Sequence, residues 1–153
     1  MRVLTIVILS FLWLPSHVFA KSFGDYKGAI YLRNYDGDTI TFNLPGLHPI
    51  IGEEISIRVN GIDTPEIKGK CEKEKYNAQQ TKQMVADFLK DAEQIVLKSM
   101  ERGKYFRIAA DVIIDGENLA DVLVEAGMAV RHDGGKKTHK SVSYTHLTLP
   151  TKA

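Results

Sequence analysis

The chain has 153 residues, of which 44% are hydrophobic and 25% are charged, a composition that fits one small globular domain. Its 20 basic and 19 acidic residues give a net charge of +1, which excludes a protein that coats nucleic acid through bulk positive charge. Any binding of phosphate groups must therefore depend on a local cluster of cations or on a metal ion.

Residues 1–20 have the features of a secretory signal peptide. Arg2 precedes an apolar run over residues 3–14, and Val18 and Ala20 stand at the two positions before the expected cut that signal peptidase reads. The alternative is a membrane anchor, but the apolar run is shorter than the roughly 20 residues that a spanning helix needs. We therefore expect a mature protein that is secreted or periplasmic and has no stable association with a membrane.

Three strands are predicted in the first half of the mature chain, over residues 29–33, 39–44 and 54–62. The dipeptide Asp36-Gly37 between the first two strands is typical of a hairpin turn, and residues 47–52 are predicted to form a loop. Apolar and polar residues alternate in the third strand. Arg58 therefore falls on the face opposite to the apolar one, where it can reach a ligand.

Two helices and two strands are predicted in the second half. A long helix over residues 72–92 carries one apolar stripe at helical spacing. A short helix over residues 119–126 has Asn118 as a candidate N-cap and Gly127 as a candidate C-cap. The strands between these helices cover residues 94–99 and 105–115.

This order of elements predicts an α+β, mainly β domain over residues 21–141. Five short strands, one long helix after the third strand and a short C-terminal helix are compatible with a small five-stranded OB-fold barrel, in which closure removes exposed sheet edges. Periodicity alone leaves other α+β arrangements open.

Residues 142–153 are predicted not to belong to the native protein. The segment VSYTHLTLPT, residues 142–151, resembles a translated transposase adapter of the kind used to build sequencing libraries. The alternative is an ordinary threonine-rich strand. We expect the native protein to continue past residue 140 or 141 into a different sequence.

Two aspartates and two arginines indicate a site for a phosphodiester. Asp38 and Asp63 can supply oxygen ligands to a hard cation such as Mg²⁺ or Ca²⁺. Arg58 and Arg107 can hold phosphate oxygens through bidentate hydrogen bonds while they remain charged. Glu66 lies three residues beyond Asp63, from where it can hold an attacking water or accept its proton. Each residue alone would fit an ordinary turn, loop or surface ion pair, so their combination carries the interpretation.

The segments that contain these residues resemble the staphylococcal nuclease (thermonuclease) family. They are YDGDTI at residues 35–40, IRVNGIDTPE at residues 57–66 and KYFRIAADV at residues 104–112, and the resemblance runs from about residue 30 to residue 131. It implies an OB-fold and a Ca²⁺-dependent nuclease that hydrolyses phosphodiester bonds of DNA and RNA by in-line attack of water. It also implies low base specificity and products that end in a 3′-phosphate. We expect a monomer.

The resemblance also implies a role for each matching residue. The residues that match the catalytic positions are Arg58, Glu66 and Arg107. The matching ligands of one Ca²⁺ ion are Asp38, Asp63 and the main-chain carbonyl of Thr64. Lys104 and Tyr105 match residues that contact a terminal nucleotide phosphate. Asp36 is expected to be a turn residue only.

Two departures from the family pattern concern the nucleotide pocket. Phe106 stands where a glycine is typical, and after Val130 the tyrosines that lie under the base are absent. The chain is therefore expected to grip the nucleic-acid backbone more than the base. The main alternative function is a non-catalytic nucleic-acid-binding OB module of the same family, and a cation-dependent recognition domain is a third. The presence of Arg58, Glu66 and Arg107 together argues against the binding module.

Cys71 is the single cysteine in the chain, which in an exported protein indicates either a free thiol or a missing partner. Family relatives often end in a Trp-Cys pair soon after a segment like HDGGKK at residues 132–137. We predict that resequencing of the gene reveals a second cysteine codon beyond residue 140. Thiol labelling of the complete exported protein should then find Cys71 blocked in a disulfide worth at most about 4 kcal/mol. A genome that encodes residues 142–153 as they stand would contradict the prediction of a second cysteine. A reactive Cys71 in the complete protein would contradict the predicted disulfide.

Overall fold

The computed structural model describes residues 22–103 and 107–132, so the predicted signal peptide, residues 104–106 and the residues from 133 onward lie outside the described part of the chain. The strands are β1 (Tyr26–Lys27), β2 (Ile30–Asn34), β3 (Thr39–Asn43), β4 (Ile55–Val59), β5 (Ile62–Asp63), β6 (Ile95–Arg102), β7 (Ile108–Ile114), β8 (Glu117–Asn118) and β9 (Val130–Arg131). The helices are α1 (Pro49–Gly52), α2 (Glu72–Lys90) and α3 (Leu119–Glu125). Within these described residues, none of the helices combines the length and apolar character that a membrane span requires.

Five long strands form one curled sheet in the order β6-β7-β4-β3-β2, with the short β1 beside β6 and the short β8 beside β7. Neighbouring strands are antiparallel except β4 and β7, which are parallel, with Ile57 opposite Ile108. The parallel pair places the beginning of β7 beside the middle of β4. Arg107 and Arg58 therefore lie on the same side of the sheet.

The two ends of the hydrogen-bonded strand order are neighbours in the chain. Only Gly28 and Ala29 separate β1 from β2, and the amides of both residues donate to the carbonyl of Ile95 at the start of β6. Gly28 has a φ of +82°, a left-handed conformation that glycine adopts without steric cost. One continuous segment thus contacts β6 on one side and β3 on the other, and this continuity curls the sheet toward a barrel.

The core lies inside the curled sheet and is covered by α2 and α3. Alternation along β4 buries Ile57 and Val59 completely, while Arg58 stays half-buried on the opposite face. Val85 and Leu89 of α2 join this core, as does Leu123 of α3. Full burial of such a side chain contributes about 1.5–3 kcal/mol each, so the apolar face of β4 holds the strand, and with it Arg58, firmly in place.

The α+β, mainly β class is confirmed, as are the long helix after the third long strand and the short helix near the end of the described chain. The curled, OB-fold-like sheet has five long strands, as predicted. Asn118 caps α3 by accepting a hydrogen bond from the amide of Ala120 at 2.9 Å, and Gly127 follows the helix with a φ of +68°.

Several predicted boundaries were wrong. The predicted loop over residues 47–52 contains α1, where His48 caps the helix and Pro49 occupies its first turn. The predicted third strand ends at Val59, because the chain turns at Gly61 before the separate strand β5. Helix α2 ends at Lys90 rather than at residue 92, and β6 continues to Arg102 rather than ending at residue 99. The two-residue strands β1, β8 and β9 were not predicted.

Candidate active site

The β2–β3 hairpin presents Asp38 through a turn that Asp36 stabilises. The Oδ1 atom of Asp36 accepts hydrogen bonds from the amide of Asp38 at 3.1 Å and from the amide of Thr39 at 2.7 Å. The amide of Tyr35 donates to the carbonyl of Thr39 at 2.9 Å across the same turn. Asp36 therefore has the turn role predicted from the sequence, and the turn directs Asp38 inward.

A buried amide attaches this turn to helix α2. The Nδ2 atom of Asn34 donates to the carbonyl of Asp36 at 2.8 Å and to the carbonyl of Lys82 at 3.0 Å, while its Oδ1 accepts from the hydroxyl of Tyr31 at 2.6 Å. A buried polar group with its hydrogen bonds satisfied holds its surroundings in one arrangement. The turn is thus fixed to the middle of α2 as well as to its own strands.

Asp38 is the most buried acidic residue of the site, with a side chain only 3% exposed. Its Oδ1 accepts from Arg58 and from the Thr39 hydroxyl at 3.2 Å, and its Oδ2 accepts from the Thr64 amide and hydroxyl, both at 3.0 Å. Burial raises the pKa of the Asp38 carboxyl to about 6, Asp36 adds to the rise, and Arg58 and Thr64 oppose it. The four donors use the whole accepting capacity of the carboxylate.

Arg58 joins the two predicted metal-binding aspartates. One terminal nitrogen of its guanidinium donates to Asp38, and the other donates to Asp63 and to the carbonyl of Ile62 at 3.2 Å. Strand order explains this position, since Arg58 lies opposite Thr39 in the β3–β4 ladder. Asp38, Arg58 and Asp63 therefore form one continuous ion-paired group.

The predicted catalytic residues and one predicted metal ligand, Asp38, converge on one cleft. Asp38, Arg58, Glu66 and Arg107 all line a cavity of about 460 Å³, a size within the range of ligand pockets, about 300–1,000 Å³. Glu66 and Arg107 are exposed. Within residues 22–103 and 107–132, Arg107 makes no ion pair. Asp63 is outside the lining set and reaches the site through Arg58.

Some predicted residues are placed differently or lie outside the described part. Lys104, Tyr105 and Phe106 fall in the undescribed residues 104–106. Thr64, predicted to act through its main-chain carbonyl, is buried, and its amide and hydroxyl hold Asp38. In the structure, Thr64 therefore positions the carboxylate of Asp38.

The structure adds residues to the site that the sequence did not indicate. Tyr35, Ile67 and Lys68 line the same cleft, with Tyr35 on the hairpin and the other two in the loop after Glu66. His132 follows β9, which pairs with β5, and its Nδ1 lies 3.9 Å from the other carboxylate oxygen of Asp63. Tyr35 and Lys68 could have been identified because they lie close in sequence to Asp36 and Glu66. The position of His132 depends instead on a pair of strands that are far apart in sequence.

The donor atoms suit a hard cation, but Arg58 already lies between them. Carboxylate oxygens and main-chain carbonyls are the ligands that Ca²⁺ prefers, and Asp38 and Asp63 provide two carboxylates bound to the same guanidinium. The described residues contain no group of three or more His, Cys, Asp or Glu side chains suited to a metal ion. A cation at this position must therefore replace the guanidinium and use main-chain oxygen, water or phosphate for its remaining ligands.

Comparison with known protein families gives one match, and it covers most of this site. The family model described as staphylococcal nuclease homologue matches residues 56–148. The matched range includes Arg58, Asp63, Glu66 and Arg107 and begins after Asp38. It also includes residues 142–148, and the assignment of residues 142–153 to an adapter stays a prediction. A search of curated proteins finds no match.

Gly37 is predicted to be essential to the position of the Asp38 turn. A Cβ atom at Gly37 would lie 2.5 Å from Cγ2 of Thr81 and 2.8 Å from Cγ2 of Thr64. Gly37→Ala must therefore push the turn away from α2 or displace Thr64 from Asp38. Overpacking of this kind costs about 1–3 kcal/mol. We expect urea unfolding to show a loss of this size.

The matched control for Gly37→Ala is its combination with Thr81→Ser. Serine keeps the hydroxyl that donates to the Asn77 carbonyl at 2.9 Å and removes the methyl group nearest to the new Cβ. The double variant should recover part of the lost stability, because the contact with Thr64 remains. Equal stability of Gly37→Ala and the parent protein would contradict the close packing.

Proposed function

Because this chain belongs to the staphylococcal nuclease homologue family, we propose that it is a secreted or periplasmic nuclease that hydrolyses phosphodiester bonds of DNA and RNA with one bound Ca²⁺ ion. The observation that supports the proposal is the convergence of Asp38, Arg58, Glu66 and Arg107 on one cleft from four separate segments of the chain. Three carboxylates and three cations line this cleft, a mixture that suits a phosphate group and a metal ion together. The lining cations are Arg58, Lys68 and Arg107, and the lining carboxylates are Asp36, Asp38 and Glu66.

The two arginines act on the charge of the reacting phosphate. As water attacks in line and the phosphorus becomes five-coordinate, negative charge grows on its equatorial oxygens. Guanidinium donors directed at these oxygens stabilise the transition state more than the ground state. Arg107 is exposed and lines the cleft, whereas Arg58 must first loosen its bonds to Asp38 and Asp63.

Glu66 and the aspartates complete the proposed mechanism. Glu66, exposed in the cleft, orients the attacking water and accepts its proton. Asp38, Asp63 and the main-chain carbonyl of Thr64 would hold the Ca²⁺ ion. When bound, this ion supplies Lewis-acid polarisation of the phosphate.

Digestion assays decide between this function and a non-catalytic binding module. Plasmid DNA and RNA are incubated with the full-length protein in Ca²⁺ and, separately, in excess chelator. Cleavage in Ca²⁺ that stops in chelator is the expected result. Retention of labelled DNA without cleavage would favour the binding module, and full cleavage in chelator would eliminate the proposed metal dependence.

The aspartates and Arg58 should affect Ca²⁺ binding in opposite directions. Asp63→Asn removes one carboxylate whose side chain is 16% exposed and keeps its size, so calorimetric titration should show weaker Ca²⁺ binding in a folded protein. Arg58→Met removes the cation that competes for the same oxygens, so Ca²⁺ should bind more tightly. Without Ca²⁺ this variant should melt lower than the parent, because Asp38 loses its buried partner. Unchanged affinity in both variants would place the cation elsewhere.

Lysine substitution tests whether the arginines act through their shape. A lysine keeps the charge but cannot form the planar two-point contact with phosphate. Arg58→Lys and Arg107→Lys should each lower kcat about 100- to 1000-fold, the usual cost of one transition-state donor. Arg33→Lys is the control, since Arg33 makes an exposed ion pair with Glu54 at 2.7 Å outside the cleft. Near-parental kcat in both cleft variants would mean that these arginines are structural.

A further inference from the structure

Tyr35 is the single aromatic side chain among the described residues that line the cleft. It is 54% exposed, and its hydroxyl has no hydrogen-bond partner within residues 22–103 and 107–132. Tyr26 and Tyr31 differ from it, because their hydroxyl groups donate to Pro45 and to Asn34. The ring of Tyr35 therefore offers an accessible aromatic face in a cleft that also contains cationic side chains.

The backbone that carries this ring is held on both sides. Asn34 before it is buried and bound to the carbonyl of Lys82 on α2, and Asp36 after it closes the turn through two amides. The amide of Tyr35 itself donates to Thr39. A ring on a fixed backbone loses little conformational freedom when a flat ligand binds, which is the property of a stacking platform.

The neighbouring charges identify the ligand. Lys68 and Arg107 line the cleft together with Tyr35, so a phosphate bound to these cations brings the attached nucleoside into the cleft that Tyr35 lines. Every nucleobase has a π-face that can stack on an aromatic side chain, and positively charged grooves with such side chains are the usual means of holding single strands. A paired base would have to leave its own stack before it could reach the ring.

We propose that Tyr35 is the stacking platform for an unpaired base next to the phosphate in the cleft. This inference rests on the proposed nuclease function and adds a base contact to it. It differs from the expectation that, without tyrosines after Val130, the chain grips the nucleic-acid backbone more than the base. The contact is sequence-tolerant, because a tyrosine ring stacks on any base.

Kinetics on single-stranded oligothymidylate test the platform. Tyr35→Ala should lower kcat/KM roughly 5- to 150-fold, which corresponds to the loss of one base–aromatic stack. Tyr35→Phe keeps the ring and should stay close to the parent. Tyr76→Ala is the matched control, because Tyr76 is 63% exposed on α2 and does not line the cleft. On duplex DNA, Tyr35→Ala should lower kcat/KM by a smaller factor.

An abasic strand separates stacking from a structural effect. The parent should cleave an oligonucleotide of tetrahydrofuran nucleotides less efficiently than oligothymidylate, and Tyr35→Ala should cause little further loss on the abasic strand. An equal loss on both strands would overturn the stacking contact, as would parental kcat/KM of Tyr35→Ala on oligothymidylate. A parent protein that neither cleaves nor binds any of these strands would refute the nuclease function and the platform with it. Cleavage by the parent together with an unaffected Tyr35→Ala would refute the platform alone.

Discussion

The buried carboxylate of Asp38 is the constraint on which the site depends. A charge removed from water is tolerated only when it is paired and hydrogen-bonded, and Asp38 meets this requirement with four donors. The donors come from Thr39 on β3, Arg58 on β4 and Thr64 in the segment after β5. Loss of any one of them weakens the solvation of the buried carboxylate, so the hairpin, the central strand and the following loop are held in one arrangement. The Asp38 carboxylate therefore fixes the relative positions of these three segments.

The proposed function requires Arg58 to make two sets of contacts that it cannot make at the same time. In the structure its guanidinium pairs with both Asp38 and Asp63, whereas the proposed catalysis requires the same group to hold the phosphate. A divalent cation held by the two carboxylates would resolve the conflict, because it would replace the guanidinium with a higher charge. Arg58 would then be free to bind the phosphate. Cation binding and phosphate binding would thus favour each other, as linked equilibria require. In the absence of a cation, the ion pairs keep the carboxylates from repelling one another.

Local rules predicted those parts of the molecule in which neighbouring residues decide the structure. Alternation along β4 put Arg58 on the face opposite to Ile57, and the Asp36-Gly37 pair predicted the hairpin. The apolar stripe of α2 and the N-cap at Asn118 were likewise predicted from residues that are close in sequence. Each of these features needs only a short window of sequence, because its cause is a backbone period or a turn requirement.

The missed features depend on partners that are distant in sequence. Strand β9 exists because it pairs with β5, and this pair alone brings His132 to Asp63. The ion pair of Arg58 with Asp38 depends on the register of β3 and β4, which alternation within one strand cannot give. The sequence indicated that Asp38, Asp63 and Arg58 belong to one site. Only the fold shows that the arginine lies between the two carboxylates.

The charge of the chain also limits how it can recognise a nucleic acid. With 20 basic and 19 acidic residues, the protein lacks the broad positive surface that holds a polyanion from a distance. Recognition under the proposed function must then come from short-range contacts inside the cleft. Its lining cations supply the phosphate contacts, and Tyr35 is the one aromatic face that the described lining offers to a base. Asn34 fixes the same turn to α2 that carries both Tyr35 and Asp38. Tyr35 and Asp38 are therefore positioned by one element, so a shift of the turn against α2 would disturb both at once.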